Sequence, residues 1–117
     1  MIVVIETWHL KPECAERSTE IMQEMDDLVG PRAHEDPAWA GHADFYHSRE
    51  HAEQVLMVYR WRSVEEHRQL AAREESELQE FYRVHCSAPR EISYYTPLPV
   101  DVDHDDHAPD RHAQSIT

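Results

Sequence analysis

The alternation of apolar and polar positions divides the chain into six elements. Residues 2–10 (Ile-Val-Val-Ile-Glu-Thr-Trp-His-Leu) predict a first strand. Its apolar side chains occupy both parities, Ile2, Val4, Trp8 and Leu10 on one and Val3 and Ile5 on the other, the pattern of a strand covered on both faces. Lys11-Pro12-Glu13 opens a helix over 12–29, where Ile21, Met22, Met25, Leu28 and Val29 share one helical face and Gly30-Pro31 reads as a stop. A polar loop over 32–37 precedes a second strand over 39–48, and the charged segment 48–53 predicts a hairpin turn. Gln54 to Trp61 (Gln-Val-Leu-Met-Val-Tyr-Arg-Trp) is the third and central strand. It runs directly into Ser63-Val64-Glu65-Glu66, the spacing of a capping box. Helical spacing then continues through Val64, His67, Leu70, Ala71, Leu78, Phe81, Tyr82 and His85. Residues 63–86 contain no glycine or proline and fit either one helix or two with a bend near Arg73-Glu74-Glu75. Pro89 is read as its end, and 91–98 as a fourth strand.

The order β-α-β-β-α-β is that of an α+β, ferredoxin-like domain, a four-stranded antiparallel sheet with both helices on one face. Helices cover one face only, while the first strand is apolar on both. The simplest cover for the second face is another copy of the same sheet, so a homodimer is expected. The domain spans 1–98. From Pro99 the composition turns acidic and poor in large apolar groups, which predicts a flexible tail over 99–117.

Composition narrows the partners. A chain of 117 residues suits one domain. Its 24 acidic against 11 basic side chains, net charge −13, would repel phosphate backbones and anionic lipid surfaces, so neither nucleic acid nor membrane is expected. There is no apolar run long enough for a membrane span and no basic segment preceding the apolar N-terminus, and Cys14 and Cys86 lack metal-like spacing. Two reduced thiols fit a cytoplasmic protein. Three of the ten histidines, His104, His107 and His112, lie in the tail. His104-Asp-Asp-His107 has the residue types of a zinc, nickel or copper chelator, but tail flexibility argues against a preformed site and no metal is assigned. No catalytic Ser-His-Asp order, glycine-rich phosphate loop or CxxC is present.

Against this pattern, Val3-Val4-Ile5 leading to Lys11-Pro12, the loop Pro37-Ala-Trp-Ala-Gly41 and Tyr59-Arg-Trp61-Arg-Ser63-x-Glu65-x-His67 are similar to the antibiotic biosynthesis monooxygenase family. The resemblance covers residues 1–98. It implies a dimeric α/β barrel and oxidation of an anthrone-like phenol by molecular oxygen, with no metal, flavin or other cofactor. The substrate would be a small hydrophobic aromatic intermediate of polyketide or quinone type, held between sheet and helices. By position, Trp61 matches the family's strand-end tryptophan. Met57 stands where the family has asparagine, His67 where it has tyrosine, and Arg83 represents an arginine of the last helix. The roles implied are stacking for Trp61, proton removal for His67 and oxyanion contacts for Tyr59 and Arg83, with Met57, Phe81 and Trp8 completing the binding wall. Each has a packing alternative: Trp61 and Tyr59 as core aromatics, His67 as a hydrogen-bonded core histidine. A polyketide cyclase or a non-catalytic ligand-binding dimer remains the alternative. A haem-binding member is disfavoured, because its histidine would fall near Gln79 and Glu80 whereas His85 comes more than a turn later. His42 and His47 have opposite parity on the second strand, so they do not share one pocket.

Overall fold

In the computed structural model, residues 1–103 are described. Strand β1 (Ile2–Leu10) is followed by a 3-10 segment (Pro12–Arg17), helix α1 (Ser18–Glu35), β2 (Asp44–His47), β3 (Gln54–Trp61), α2 (Val64–His85) and β4 (Cys86–Tyr95). The strands form one antiparallel sheet in the order β2-β3-β1-β4, so the expected ferredoxin-like fold is present. Alternate residues of β1, Val4, Glu6, Trp8 and Leu10, are buried beneath the helices, whereas Val3, Ile5, Thr7 and His9 are only half-buried. The cross-strand pairs Ile5–Val58, Thr7–Leu56 and Val3–Tyr95 place further apolar groups on the half-buried face.

Four boundaries differ from the sequence expectation. Gly30-Pro31 does not stop α1, which continues to Glu35. An internal proline costs about 3 kcal/mol, but this turn is held by tertiary contacts: Val29 and Gly30 are buried, Ala33 packs against the Trp61 cluster, and Arg32 pairs with Glu77 of α2 at 2.5 Å. Residues 12–17 form a 3-10 segment rather than α-helix. The second strand shrinks to Asp44–His47 because Gly41, at φ 135°, interrupts the ladder, leaving Trp39 with a single bridge to Trp61. The second helix is unbroken and already ends at His85, so β4 begins at Cys86 and contains Pro89.

That proline lies in a β-bulge. Thr7 pairs with Glu91 and His9 with Ala88, so Pro89 and Arg90 together oppose Trp8. A bulge tolerates a residue lacking N–H. Arg90 keeps the inward parity of Ile92 and Tyr94 and lies on the helix-covered face, over the Trp8 ring at 5.5 Å. The capping box forms in part: Ser63 Oγ accepts from Glu66 N at 3.2 Å, while Glu66 Oε1 accepts from the Ser63 hydroxyl at 2.9 Å. The histidine-rich tail segment from His104 lies outside the described residues. Among those described, no helix is long and apolar enough to cross a membrane.

Candidate functional site

The buried side of α2 is set by helical spacing. His67, Leu70, Ala71, Glu74 and Leu78 succeed one another on the face turned to the sheet. Opposite them, β3 presents Met57, Tyr59 and Trp61 at alternate positions. Two of the helix residues are polar, and both are nearly inaccessible: His67 is 0% exposed and Glu74 3%. Buried polar groups need partners, and these are supplied by β1 and β4.

Glu6 Oε1 accepts from Trp8 Nε1 and from Arg90 Nη1, each at 3.0 Å, and Oε2 accepts from the Tyr59 hydroxyl. Arg90 Nη2 also donates to Glu74 Oε1 at 3.0 Å and Nε to Glu75 Oε2 at 2.8 Å. With its proton directed at Glu6, the Tyr59 oxygen accepts from His67 Nε2, 2.5 Å away. His67 is then the Nε2–H tautomer, and its Nδ1 accepts from the Tyr94 hydroxyl at 2.9 Å. Four groups thus form one chain, from half-buried Tyr94 on β4 through His67 and Tyr59 to Glu6.

Charge states follow from burial. Desolvation lowers the His67 pKa to about 4, against the pull of Glu6, so its ring is neutral near pH 7. Burial, reinforced by the Glu6 carboxylate, holds the Tyr59 hydroxyl well above its ordinary range, so it stays protonated. Burial raises Glu74 to about 7, a shift that Arg90 opposes. Arg90 itself is disfavoured as a cation by burial, but Glu6 and Glu74 more than compensate and hold its pKa above the usual arginine value.

These groups border a cavity of about 40 Å³ whose wall includes Glu6, Tyr59, Trp61, Glu74, Arg90 and Met57, with His34 and Trp39 from the α1–β2 side. That volume holds roughly two or three waters. His34, Trp39 and His42 form a triangle of edge-packed rings with centroids 5.2–5.3 Å apart. A larger groove of about 260 Å³, between α1 and β2, shares Asp26 with the cavity wall. Trp61 is 1% exposed, and its Nε1 is the one buried side-chain polar atom without a hydrogen-bond partner among the described residues.

The structure therefore brings together Trp61, Tyr59 and Met57 on the cavity wall. His67 is absent from that wall and is linked to it by its hydrogen bond to Tyr59 and its ring contact with Trp61. Arg83 lies elsewhere, 70% exposed in the last turn of α2 and paired with Glu80. Trp8 and Phe81 pack edge to face at 5.7 Å in the other core cluster, away from the cavity. His85 pairs with Glu24 at 3.2 Å against the Phe81 ring. Glu6, Glu74, Arg90 and Tyr94 were not anticipated. Glu6 has the parity of Val4 and Trp8, and Glu74 falls one turn after Leu70 on the apolar face, so both were readable from periodicity. Arg90 has the inward parity of Ile92 and Tyr94, but it falls one residue before the strand read over 91–98.

Among the described residues, no group of three or more His, Cys, Asp or Glu side chains is placed to hold a metal ion. No protein-family model and no curated protein sequence matches the chain. Solved structures do. A monooxygenase of Streptomyces coelicolor in complex with nanaomycin D superposes with a TM-score of 0.65 at 17% identity, over 86% of this chain and 90% of that one. A NIPSNAP-like domain protein from Burkholderia xenovorans gives 0.62 at 15% identity, over 86% and 87%. A structure named antibiotic biosynthesis monooxygenase gives 0.61 at 15% identity, over 85% of this chain and all of the other. At these identities the likeness is one of fold, and the chain has the fold of the antibiotic biosynthesis monooxygenases that its sequence resembles.

Proposed function

We propose that the chain binds a small planar aromatic ligand at the Trp61 cavity and oxygenates it without a cofactor, as the family resemblance implies. The observation that carries this reading is the unpartnered N–H of buried Trp61, a residue that shares the cavity wall with a tyrosine tied to a neutral histidine. An orphaned donor costs about 1–3 kcal/mol, which a ligand oxygen would recover. The Streptomyces coelicolor structure, with nanaomycin D bound, supports a small-molecule ligand for this fold.

For an anthrone-type phenol the overall change is CH2 plus O2 to C=O plus H2O. The protein must bind the ring, exclude water and manage protons. Trp61 supplies the stacking wall and the N–H. Tyr59, protonated, donates to the oxygen on which charge develops once its hydroxyl turns from Glu6 to the ligand, and His67 with Tyr94 passes protons between Tyr59 and the outside. His67 is on this account a positioning and relay group behind Tyr59. The cavity is too small for a tricyclic ring, so binding requires the His34–Trp39–His42 cluster to move and the ring to extend into the adjoining groove.

A cyclase shares every proton-handling step and uses no oxygen; the relay itself favours neither over the other. A homodimer is part of the proposal, supported by Val3, Ile5, Leu56 and Val58 on the sheet face away from the helices, as is a cytoplasmic setting.

The test is oxygen consumption by metal-stripped protein with 1,8-dihydroxyanthrone. Uptake should depend on the protein and fall about tenfold or more in Tyr59→Phe and His67→Ala. Ring closure of a polyketide-type substrate without oxygen uptake would replace the oxygenase with a cyclase. Binding without turnover would leave a ligand-binding protein.

A further inference from the structure

Three carboxylates, Glu6, Glu74 and Glu75, converge on the single Arg90 guanidinium, and Glu6 and Glu74 are almost wholly buried. One cation cannot neutralise them all, and uncompensated buried charge is expensive. The three are not equivalent. Glu6 accepts three hydrogen bonds, from Trp8, Tyr59 and Arg90. Glu75 is 37% exposed and also accepts from the Tyr82 hydroxyl at 2.7 Å. Glu74 has Arg90 on Oε1 as its hydrogen-bonding partner and borders the cavity directly. It is the carboxyl that most readily keeps its proton, and an oxygen already accepting from Arg90 leaves that proton to Oε2. A carboxylic acid held in this form can donate at neutral pH. Trp61 lines the same cavity and carries a second, unused donor.

We propose that Glu74, as the un-ionised acid, and the Trp61 indole N–H together hold one oxygen of the ligand in this cavity. This rests on the cavity being the ligand site. It gives the chain a substitute for the polar side chain that Met57 cannot supply, and it makes Glu74 a catalytic residue that senses pH. The charged and titratable groups facing it are Arg90 from β4, Glu6 from β1, Tyr59 from β3, Glu75 and His67 on α2, and Asp26 and His34 across the cavity from α1. The Glu74 value of about 7 agrees with this assignment.

The probe is 2-naphthol, followed by tryptophan fluorescence quenching from about pH 5.5 to about pH 8.5, a range bracketing that value. Wild-type affinity should weaken about tenfold toward the alkaline end. Glu74→Gln, whose amide donates without titrating, should bind well throughout, and Glu74→Leu, similar in size without a donor, poorly throughout. Trp61→Phe should lose about tenfold at every pH. Independently of ligand, the wild-type minus Glu74→Gln difference infrared spectrum at about pH 6.5 should show the carbonyl band of one un-ionised carboxylic acid. Addition of 2-naphthol should move its titration to higher pH. Tight wild-type binding with no such band, or Glu74→Leu binding like wild type, overturns the Glu74 assignment alone. If the band is present but no protein binds 2-naphthol at any pH, the cavity is not the ligand site and both readings fall.

Discussion

Trp8 and Trp61 are equally buried, at 0% and 1% exposure, on neighbouring strands of one sheet face, yet their surroundings differ in kind. Trp8 is packed by Phe81, Tyr82 and the Arg90 guanidinium, and its N–H reaches Glu6. Of its cluster, Leu10, Ile21 and Leu78 line neither the cavity nor the groove. Trp61 packs beside Tyr59 and His67, borders a cavity, and leaves its N–H unused. The same residue type is a structural aromatic at one end of the sheet and a candidate ligand contact at the other. What separates them is the pairing of polar atoms, which burial alone does not reveal.

The comparison can be broken most severely at Arg90, which serves both ends. Arg90→Met leaves Glu6 and Glu74 buried without a cation and should cost about 3–5 kcal/mol by chemical denaturation. Next comes Leu78→Ala in the Trp8 cluster, expected to cost about 2–5 kcal/mol with no change in ligand binding. Weakened binding in that variant would show that the two ends are coupled.

Stability against pH should separate the two buried titrating groups. Glu74 is raised above its unfolded value of 4.5, so its contribution is present below that value and lost as pH rises through about 7. His67 is lowered from 6.5, so its contribution is present above 6.5 and lost as pH falls through about 4. Glu74→Gln should flatten the decline in unfolding free energy between about pH 5 and pH 8, an effect on the order of 2 kcal/mol. An unchanged profile would contradict a protonated Glu74. The smallest effect is the most specific. Trp8→Phe should cost about 1–3 kcal/mol more than Trp61→Phe, because only the first leaves a buried acceptor short of a donor.

Element types and their order were legible because hydrophobic period carries them. The central strand Gln54–Trp61, the serine cap and the helix after it all formed where the spacing placed them. Boundaries failed where tertiary packing overrode local signals: α1 runs through Gly30-Pro31, and Pro89 sits inside a strand at a bulge. At the candidate site, the resemblance pointed to Trp61, and the parity of β3 placed Tyr59 beside it. His67 was found too, but its position behind Tyr59 depends on three-dimensional pairing. Arg83 was misplaced because an arginine on the last helix was sought, and the cation comes instead from the strand that follows it. Glu6 and Glu74 show how a polar residue in an apolar phase marks a site. Their charge alone would have assigned them to the surface.

The central claim is that Trp61, unlike Trp8, has an N–H reserved for a ligand. The direct measurement is a titration of the nitrogen-15-labelled protein with 2-naphthol, following the three tryptophan indole N–H resonances, which belong to Trp8, Trp39 and Trp61. The Trp61 signal should move to lower field as a hydrogen bond forms, while the Trp8 signal stays in place. Equal movement of both, or a bound ligand that leaves Trp61 unmoved, would contradict the account.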